Sequence, residues 1–403
     1  MIRINKRDFW LFLILFSFME PWWFTTIGII DKLFDAFKFL MVLVVVIKMF
    51  KGELRIGPMA LLILCHRTYI CVVSVLRGLM IMGYISESIQ FIAFAILLEY
   101  YIRKDGCRTL LSVEYCFATL LVLNILTYTP SGIIFEPGSG YYLLSIRTRI
   151  AEVAFPAIGL ALYNVKLTGT HKKALYVILL SSLAFFILEW VATALVCLSL
   201  FVILLVFEKF VSKKALNSYH VVLLLGLVGI SIGVVFFNIQ EYFADLIEML
   251  LHKKATLTGR TDLWAIAIAY TRKKWLFGYG FQNRGDFVSM YDFTTTSHNQ
   301  WLQTLYYGGV VGSIFFYSIT IYAISRCFKD SKQQGTRVTS VLLAMLFTII
   351  FMCTTEIVMD NVYYLIYVII LCYSGQLVKN REGEYYAKKH IGKKAKSAKE
   401  FYF

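Results

Sequence analysis

The chain has 403 residues, of which 59% are hydrophobic and 16% charged, and its mean hydropathy is +0.69. This composition excludes an ordinary soluble protein and is typical of polytopic membrane proteins. The net charge of +15 does not indicate a nucleic-acid partner, because most of the excess lies in short loops and in the tail after Lys379.

About twelve apolar runs follow one another, each close to the roughly 20 residues that a helix needs to cross the hydrocarbon. They predict an all-α polytopic membrane protein, because backbone groups cannot stay unpaired in lipid and the runs lack the alternation of a barrel. The first run passes Pro21 without a cleavage site, so we interpret it as a span rather than a signal peptide. Glu189 is the polar break that separates the seventh span from the eighth. The predicted spans are approximately 9–30, 33–50, 57–76, 78–101, 110–128, 150–165, 174–189, 190–208, 219–237, 300–325, 339–356 and 359–376.

Lysine and arginine counts predict the orientation of these spans. The segments on the side of the N-terminus carry 27 of them, against 5 in the short loops of the opposite side. The positive-inside rule then places both termini in the cytoplasm. The two longest outward loops are about 129–149 and 238–299, and the second is the one large outward loop, with short amphipathic helices. We therefore predict a transmembrane domain over 1–378 and a basic cytoplasmic tail over 379–403 that also contacts anionic lipid headgroups.

Several kinds of chemistry have no motif in this chain. The eight cysteines lie in spans or in predicted cytoplasmic loops, which predicts neither a disulfide framework nor a metal cluster. The chain also lacks a P-loop, a D-x-D pair and a zinc spacing. We therefore predict no metal and no cofactor, and any group transfer on the outer face must start from an activated, lipid-carried donor.

Three arginines outside the large loop are candidates for ligand binding. Arg67 follows His66 near the middle of the third span, where a charge implies a partner or a polar cavity, and Glu87 or Glu114 are possible partners. A buried ion pair that only holds helices together explains Arg67 equally well. Arg147 and Arg149 lie at the outward mouth of the sixth span, where guanidinium groups suit phosphate oxygens. The alternative for this pair is contact with lipid phosphates.

The large loop holds the other candidates. Thr258 or Thr261 caps a predicted surface helix through Trp264, and Gly278-Tyr279-Gly280 forms a tight turn where the backbone comes close to a ligand. His298 immediately precedes the tenth span, and an imidazole is well suited to take a proton from a hydroxyl there. A helix-end histidine and a simple turn are the plainer explanations.

Four acidic residues near outer span ends are further candidates to line an outward cavity, although each is also explained as an ordinary interfacial acid. They are Glu152, Glu189, Glu356 and Asp360.

Three stretches of the large loop together resemble the signature loop of the O-antigen ligase and Wzy-type polysaccharide polymerase superfamily. They read T-G-R-T-D-L-W, F-G-Y-G-F and S-H-N-Q-W-L-Q-T-L-Y-Y-G-G-V-V-G. In that superfamily a G-R-x-x-x-W element, a G-x-G turn and an H-N pair precede a late span. The matching residues are Gly259, Arg260 and Trp264, then Gly278 and Gly280, then His298 and Asn299. The resemblance implies a metal-independent, inverting membrane glycosyltransferase in the bacterial cytoplasmic membrane.

The resemblance also implies roles and partners. Its donor is an undecaprenyl-diphosphate-linked glycan, and a flippase and a chain-length regulator are possible partners. Arg260 and the Arg147/Arg149 pair would hold the diphosphate, and His298 would orient or deprotonate the acceptor hydroxyl. The chain departs from the paired R-x10-G loop motifs of some polymerases at Arg147 and Arg149. The predicted catalytic residues are His298, Arg260 and Asn299, and the predicted substrate-binding residues are Arg147, Arg149, Trp264, Gly278, Gly280 and Arg67.

Within this superfamily we favour a repeat-unit polymerase over an O-antigen ligase, which needs a lipid A-core acceptor. A lipid-linked oligosaccharide flippase or another transporter is the alternative of a different class. Transporters show repeated halves with Gly- or Pro-broken spans, whereas this chain shows no repeat and has five prolines. A non-catalytic scaffold for glycan synthesis is the third hypothesis.

Overall fold

The computed structural model describes residues 6–212, 214–237, 239–243, 249, 260–282, 296–334 and 337–400. Thr258, one of the two predicted helix caps, and Gly259, the first residue of the matched G-R element, lie outside the described residues.

The first half of the chain is helical apart from one small hairpin. Its helices are α1 (Lys6–Phe18), α2 (Trp22–Thr25), α3 (Gly28–Phe50), α4 (Pro58–Leu76), α5 (Met82–Leu126), α6 (Ile150–Thr168) and α7 (Lys172–Leu188). The hairpin joins β1 (Tyr128–Thr129) to β2 (Gly132–Ile133) in antiparallel register.

The second half is also helical. Its elements are α8 (Ala192–Phe210), α9 (Leu216–Phe237), a short 3-10 helix (Ile239–Phe243), α10 (Arg260–Lys273), α11 (Gln300–Gln334), α12 (Ser340–Met352) and α13 (Val362–Glu400). The predicted all-α class is confirmed.

Membrane-spanning character is clear for part of the bundle. Six helices in the described part of the chain are long and apolar enough to cross a membrane by length and composition: α4, α5, α8, α9, the first 30 residues of α11 and the first 20 of α13. The chain is therefore a multi-pass membrane protein, and the count of twelve spans stays a prediction.

Several predicted boundaries differ from the helices. The prediction of one span over 9–30 is wrong, because α1 ends at Phe18 and Pro21 has the extended dihedral angles φ −62° and ψ 137°. The fourth and fifth predicted spans correspond to the two helices that make up α5, which meet at a kink where Asp105 leaves helical geometry. The break at Glu189 is confirmed, since α7 ends just before it. Helix α13 continues through the predicted domain boundary at residue 378.

The core is built around α12 and α13. Every residue from Ile366 to Leu371 is completely buried, and nearly all of α12 is buried as well. A helix that is apolar on all sides belongs inside a bundle, and α13 accordingly packs against α11, α5 and α6. The loop 353–361, which joins α12 to α13, is thus held by the two most buried helices.

A buried carboxylate connects three helices at the end of the bundle where α4 begins. Glu99 is completely buried, and its side chain accepts hydrogen bonds from the backbone N–H groups of Met59 and Ala60, at 3.3 and 3.0 Å, at the start of α4. The hydroxyl of Tyr373 donates to the same carboxylate at 2.7 Å. These N–H groups have no helical partner of their own, so Glu99 ties α4, α5 and α13 together.

Replacing Glu99 by alanine should therefore destabilise the fold by about 2 kcal/mol, because it leaves buried donors without an acceptor. Thermal unfolding in detergent, followed by loss of the monodisperse peak in size-exclusion chromatography, measures the effect. Glu136→Ala, at an exposed position of the hairpin loop, is the matched control. Equal stability of the two variants would contradict the assignment of Glu99 as a fastening point.

Candidate functional site

The loop 353–361 is held in place by the first residue of α11. The backbone N–H of Gln300 donates to the carbonyl of Cys353 at 3.0 Å. Its side-chain oxygen accepts from the N–H groups of Val358 and Met359 at 3.0 and 2.8 Å. One glutamine therefore fixes both ends of the loop relative to α11.

Asn299 completes this attachment. Its side-chain oxygen accepts from the N–H of Leu302 at 2.9 Å, which makes it the N-cap of α11, and its amide donates to the carbonyl of Thr354 at 2.8 Å. Asn299 is completely buried. The structure thus gives Asn299 a positioning role, whereas contact with substrate remains untested.

His298 is presented by this capped helix end. Its φ of +48° lies in the left-handed region, which histidine adopts uncommonly. Its side chain is 34% exposed, and Nδ1 lies 3.7 Å from Oε2 of Glu356. The fixed neighbours on both sides, Ser297 and Asn299, are buried, so the backbone conformation directs the imidazole toward the loop.

Arg260 reaches the same carboxylate from the other side. It begins α10, and its guanidinium lies 2.5 Å from Oε1 of Glu356. Residues 260, 298 and 356, far apart in the chain, therefore form one Arg–Glu–His cluster.

The charge of Glu356 is set by its two neighbours. Burial acts to raise the pKa of this carboxyl group, but the facing imidazole of His298 and the guanidinium of Arg260 outweigh it and hold the pKa below its ordinary value. Glu356 is therefore ionised at neutral pH. A carboxylate at Nδ1 favours the proton on that nitrogen, which leaves the lone pair on Nε2.

Arg67 lies on the other flank of the loop. Its guanidinium is 2.8 Å from Asp360 and 3.7 Å from Glu87, and it stacks over the ring of Phe91 at 4.4 Å. Glu87 was one of the two predicted partners. The prediction of Glu114 as the other partner is wrong, because its side chain accepts a hydrogen bond from Asn164 instead.

The arginines of the 129–149 loop are exposed. Arg149 lies 3.6 Å from Glu152, and Glu152 accepts from the amide of Asn361 at 2.9 Å, so Arg149 is linked to the loop 353–361 through one residue. No described residue forms an ion pair with Arg147. Both side chains are accessible to an anionic ligand, and their binding of the diphosphate stays a prediction.

Trp264 is a packing residue in this structure. Its side chain is 1% exposed and belongs to a cluster with Val235, Leu263, Leu302 and Tyr306. The ring therefore fixes α10 against α9 and α11, and with it the position of Arg260. Its predicted direct contact with substrate is not needed to explain the residue.

The G-x-G turn is packed against protein backbone. Helix α11 is interrupted at Gly309, which has φ 60° and ψ −162°, and the segment 274–281 fills the gap. The N–H groups of Tyr279 and Gly280 donate to the carbonyls of Tyr306 and Tyr307, both at 2.9 Å.

Glycine is required on both sides of this contact. A Cβ at Gly278 would lie 2.5 Å from the backbone of Gly309, and one at Gly280 would lie 2.7 Å from Cα of Ser74. The predicted close backbone approach is confirmed, but its partner is α11 and α4. Ligand binding by these glycines stays a prediction.

The structure therefore brings two of the predicted site residues, Arg260 and His298, together at the carboxylate of Glu356, and Asn299 holds the adjoining loop in place. The sequence indicated Glu356 only as one of four interfacial acids and did not predict its contacts with Arg260 and His298. Asp360 was in the same group. Within the described residues, no three side chains of the metal-ligating types come together.

These features define a multi-pass, all-α membrane protein with a charged cluster on the loop that joins its last two helices. The chain belongs to the O-antigen ligase family, which matches residues 115–317. This family comprises membrane glycosyltransferases of the ligase and polymerase type. No curated protein matches the chain. The matched region contains Arg260 and His298 and ends within α11, before Glu356.

Proposed function

We propose that this protein is a polysaccharide repeat-unit polymerase. It transfers an undecaprenyl-diphosphate-linked glycan onto a second lipid-linked repeat unit at the outer face of the bacterial cytoplasmic membrane. The observation that carries this proposal is the Arg260–Glu356–His298 cluster, which combines a base and a cation within a family of membrane glycosyltransferases.

In the proposed reaction the acceptor hydroxyl oxygen attacks the anomeric carbon of the donor. The hydroxyl proton passes to Nε2 of His298, and the carboxylate of Glu356 stabilises the imidazolium that forms. The bond between the anomeric carbon and the diphosphate oxygen breaks, so the configuration is inverted. Lipid diphosphate leaves with the bonding electrons.

Arginine side chains stabilise the negative charge that develops on the diphosphate leaving group. Arg260 is 17% exposed at its side chain and is held by Glu356, so it enters the reaction already oriented. Preoriented charge is the most effective form of electrostatic stabilisation. Arg147 and Arg149 are accessible for the remaining phosphate oxygens, and no metal ion takes part in this scheme.

The orientation of the site is part of the proposal. The lysine and arginine distribution favours cytoplasmic termini, and because α13 crosses the membrane between the loop 353–361 and the basic tail, this loop then faces outward. A flippase would supply the donor to that face, and a chain-length regulator is a possible partner.

The test uses purified protein in liposomes with the lipid-diphosphate-linked repeat unit of the host. We expect a ladder of lengthening chains, reduced about a hundredfold or more in Arg260→Ala because a leaving-group cation is lost. Arg272→Ala, at an exposed position of the same helix, is the control. Repeat units that cross the bilayer without a ladder would instead indicate a transporter.

The family description favours one second candidate, an O-antigen ligase. A ligase would move the glycan to lipid A-core or another acceptor in one step. Adding lipid A-core to the same liposomes separates the two functions, since a ligase gives a single modified product in place of a ladder.

A further inference from the structure

A cavity with polar groups in its lining adjoins the loop 353–361 at Asp360 and Asn361. It is a cavity of about 220 Å³ between α3, α5 and the start of α13. Its polar lining comprises Lys38, Glu87, Gln90, Asp360 and Asn361. Asp360 lies four residues after Glu356, so one short loop borders both the Arg–Glu–His cluster and this cavity.

We infer that this cavity binds an uncharged sugar ring of the glycan acceptor. The inference rests on the proposed function and adds a glycan subsite to it. Hydroxyl groups both donate and accept hydrogen bonds, and the cavity offers both kinds of partner. The amide of Gln90 makes no hydrogen bond to another described residue, and the side chain of Glu87 is half exposed.

The cavity also has the apolar surfaces that the C–H face of a sugar contacts. The rings of Phe18, Phe91 and Phe94 and the side chain of Val362 complete its lining. Few, fixed polar groups on an aromatic wall are typical of small-ligand sites. Arg67 keeps this wall in place, because it stacks on Phe91 and pairs with both Glu87 and Asp360.

The charge of the cavity argues against a phosphate ligand. Lys38 faces two carboxylates, Glu20 at 2.6 Å and Asp35 at 3.2 Å, so negative charge exceeds positive charge around it. The remaining lining charges, Glu87 and Asp360, share the single cation of Arg67. A diphosphate would meet net negative charge here, whereas the neutral part of a glycan would not.

The binding experiment uses an oligosaccharide that carries neither phosphate nor lipid. The host's lipid-linked repeat unit is cleaved from its diphosphate by mild acid, and its binding to the purified full-length protein in nanodiscs is measured by calorimetry. We expect Gln90→Ala to weaken binding about tenfold, since it removes buried hydrogen bonds to the sugar. Ile89→Ala is the matched control, because this neighbouring side chain on α5 is 44% exposed and does not line the cavity.

Each outcome decides the inference. Weaker binding in Gln90→Ala with unchanged binding in Ile89→Ala supports the subsite. Equal binding by both variants, no binding by the unmodified protein, or displacement of the oligosaccharide by inorganic pyrophosphate overturns it.

The proposed polymerase activity is tested separately. In the liposome assay we expect Gln90→Ala to raise the KM for the acceptor about tenfold and to leave kcat nearly unchanged. Oligosaccharide binding without a ladder in the unmodified protein would refute the polymerase and keep the sugar site. If the ladder forms equally well in Gln90→Ala, the polymerase is supported and the sugar site is refuted.

Discussion

Replacing His298 by asparagine is expected to reduce chain extension by about two to four orders of magnitude, the usual contribution of a general base. Asparagine tolerates the left-handed conformation that residue 298 adopts, so the backbone at the start of α11 should keep its shape. The carboxylate of Glu356 would then face an amide that cannot take the acceptor proton. The rate of ladder formation in liposomes, at saturating donor, measures the effect.

A second histidine provides the control. His171 also has a positive φ, +63°, and lies between α6 and α7. His171→Asn makes the same chemical change in the same kind of conformation, and should leave the ladder intact. If both variants extend chains at the unmodified rate, His298 is not the base and the proposed proton transfer fails.

Replacing Gly309 by alanine is expected to cost about 4 kcal/mol or more of stability, which places it among the most damaging single changes. Its backbone conformation is open essentially to glycine alone, and a Cβ there would lie 2.4 Å from the backbone of Leu276. The inserted segment 274–281 would have to leave the gap in α11. Its hydrogen bonds to Tyr306 and Tyr307 would then be lost within the bundle.

Thermal unfolding and the yield of monodisperse protein report this loss. Gly229→Ala is the matched control, since a Cβ at that helical glycine of α9 meets nothing within 4 Å. Alanine also has the higher helix propensity, so this control should be as stable as the unmodified protein or slightly more so. Unchanged stability in Gly309→Ala would mean that the segment 274–281 does not depend on the break.

Helix positions could be predicted because long apolar runs have one dominant solution in lipid. The break at Glu189 was visible for the same reason, as a single polar interruption. The run over 9–30 was misread because hydropathy counts residues and takes no account of backbone dihedral angles. The helix ends at Phe18, shortly before Glu20 and Pro21, in a stretch that is otherwise largely apolar.

The sequence predicted only those site residues that belong to short, continuous motifs. Arg260 and His298 belong to recognisable elements, whereas Glu356 lies in an unremarkable stretch, 96 residues after the arginine that it binds. Periodicity predicts which residues of one helix share a face, but it does not predict which loop meets that face. The contact between Gly278 and Gly309 could not be predicted either. In the sequence Gly308 and Gly309 are only two residues of low helix propensity, and the break at Gly309 is visible only in its backbone angles.

The loop 353–361 is synthesised after the cations that it binds, and this sets the order in which the charged site forms. Arg67 is made 293 residues before Asp360, and Arg260 precedes Glu356 by 96. A buried arginine without its partner is costly inside a membrane. Glu87, which is made soon after Arg67, gives it a partner while the bundle is still incomplete. The two carboxylates of the loop arrive later, so packing of α13 completes the charged site around cations that are already in place.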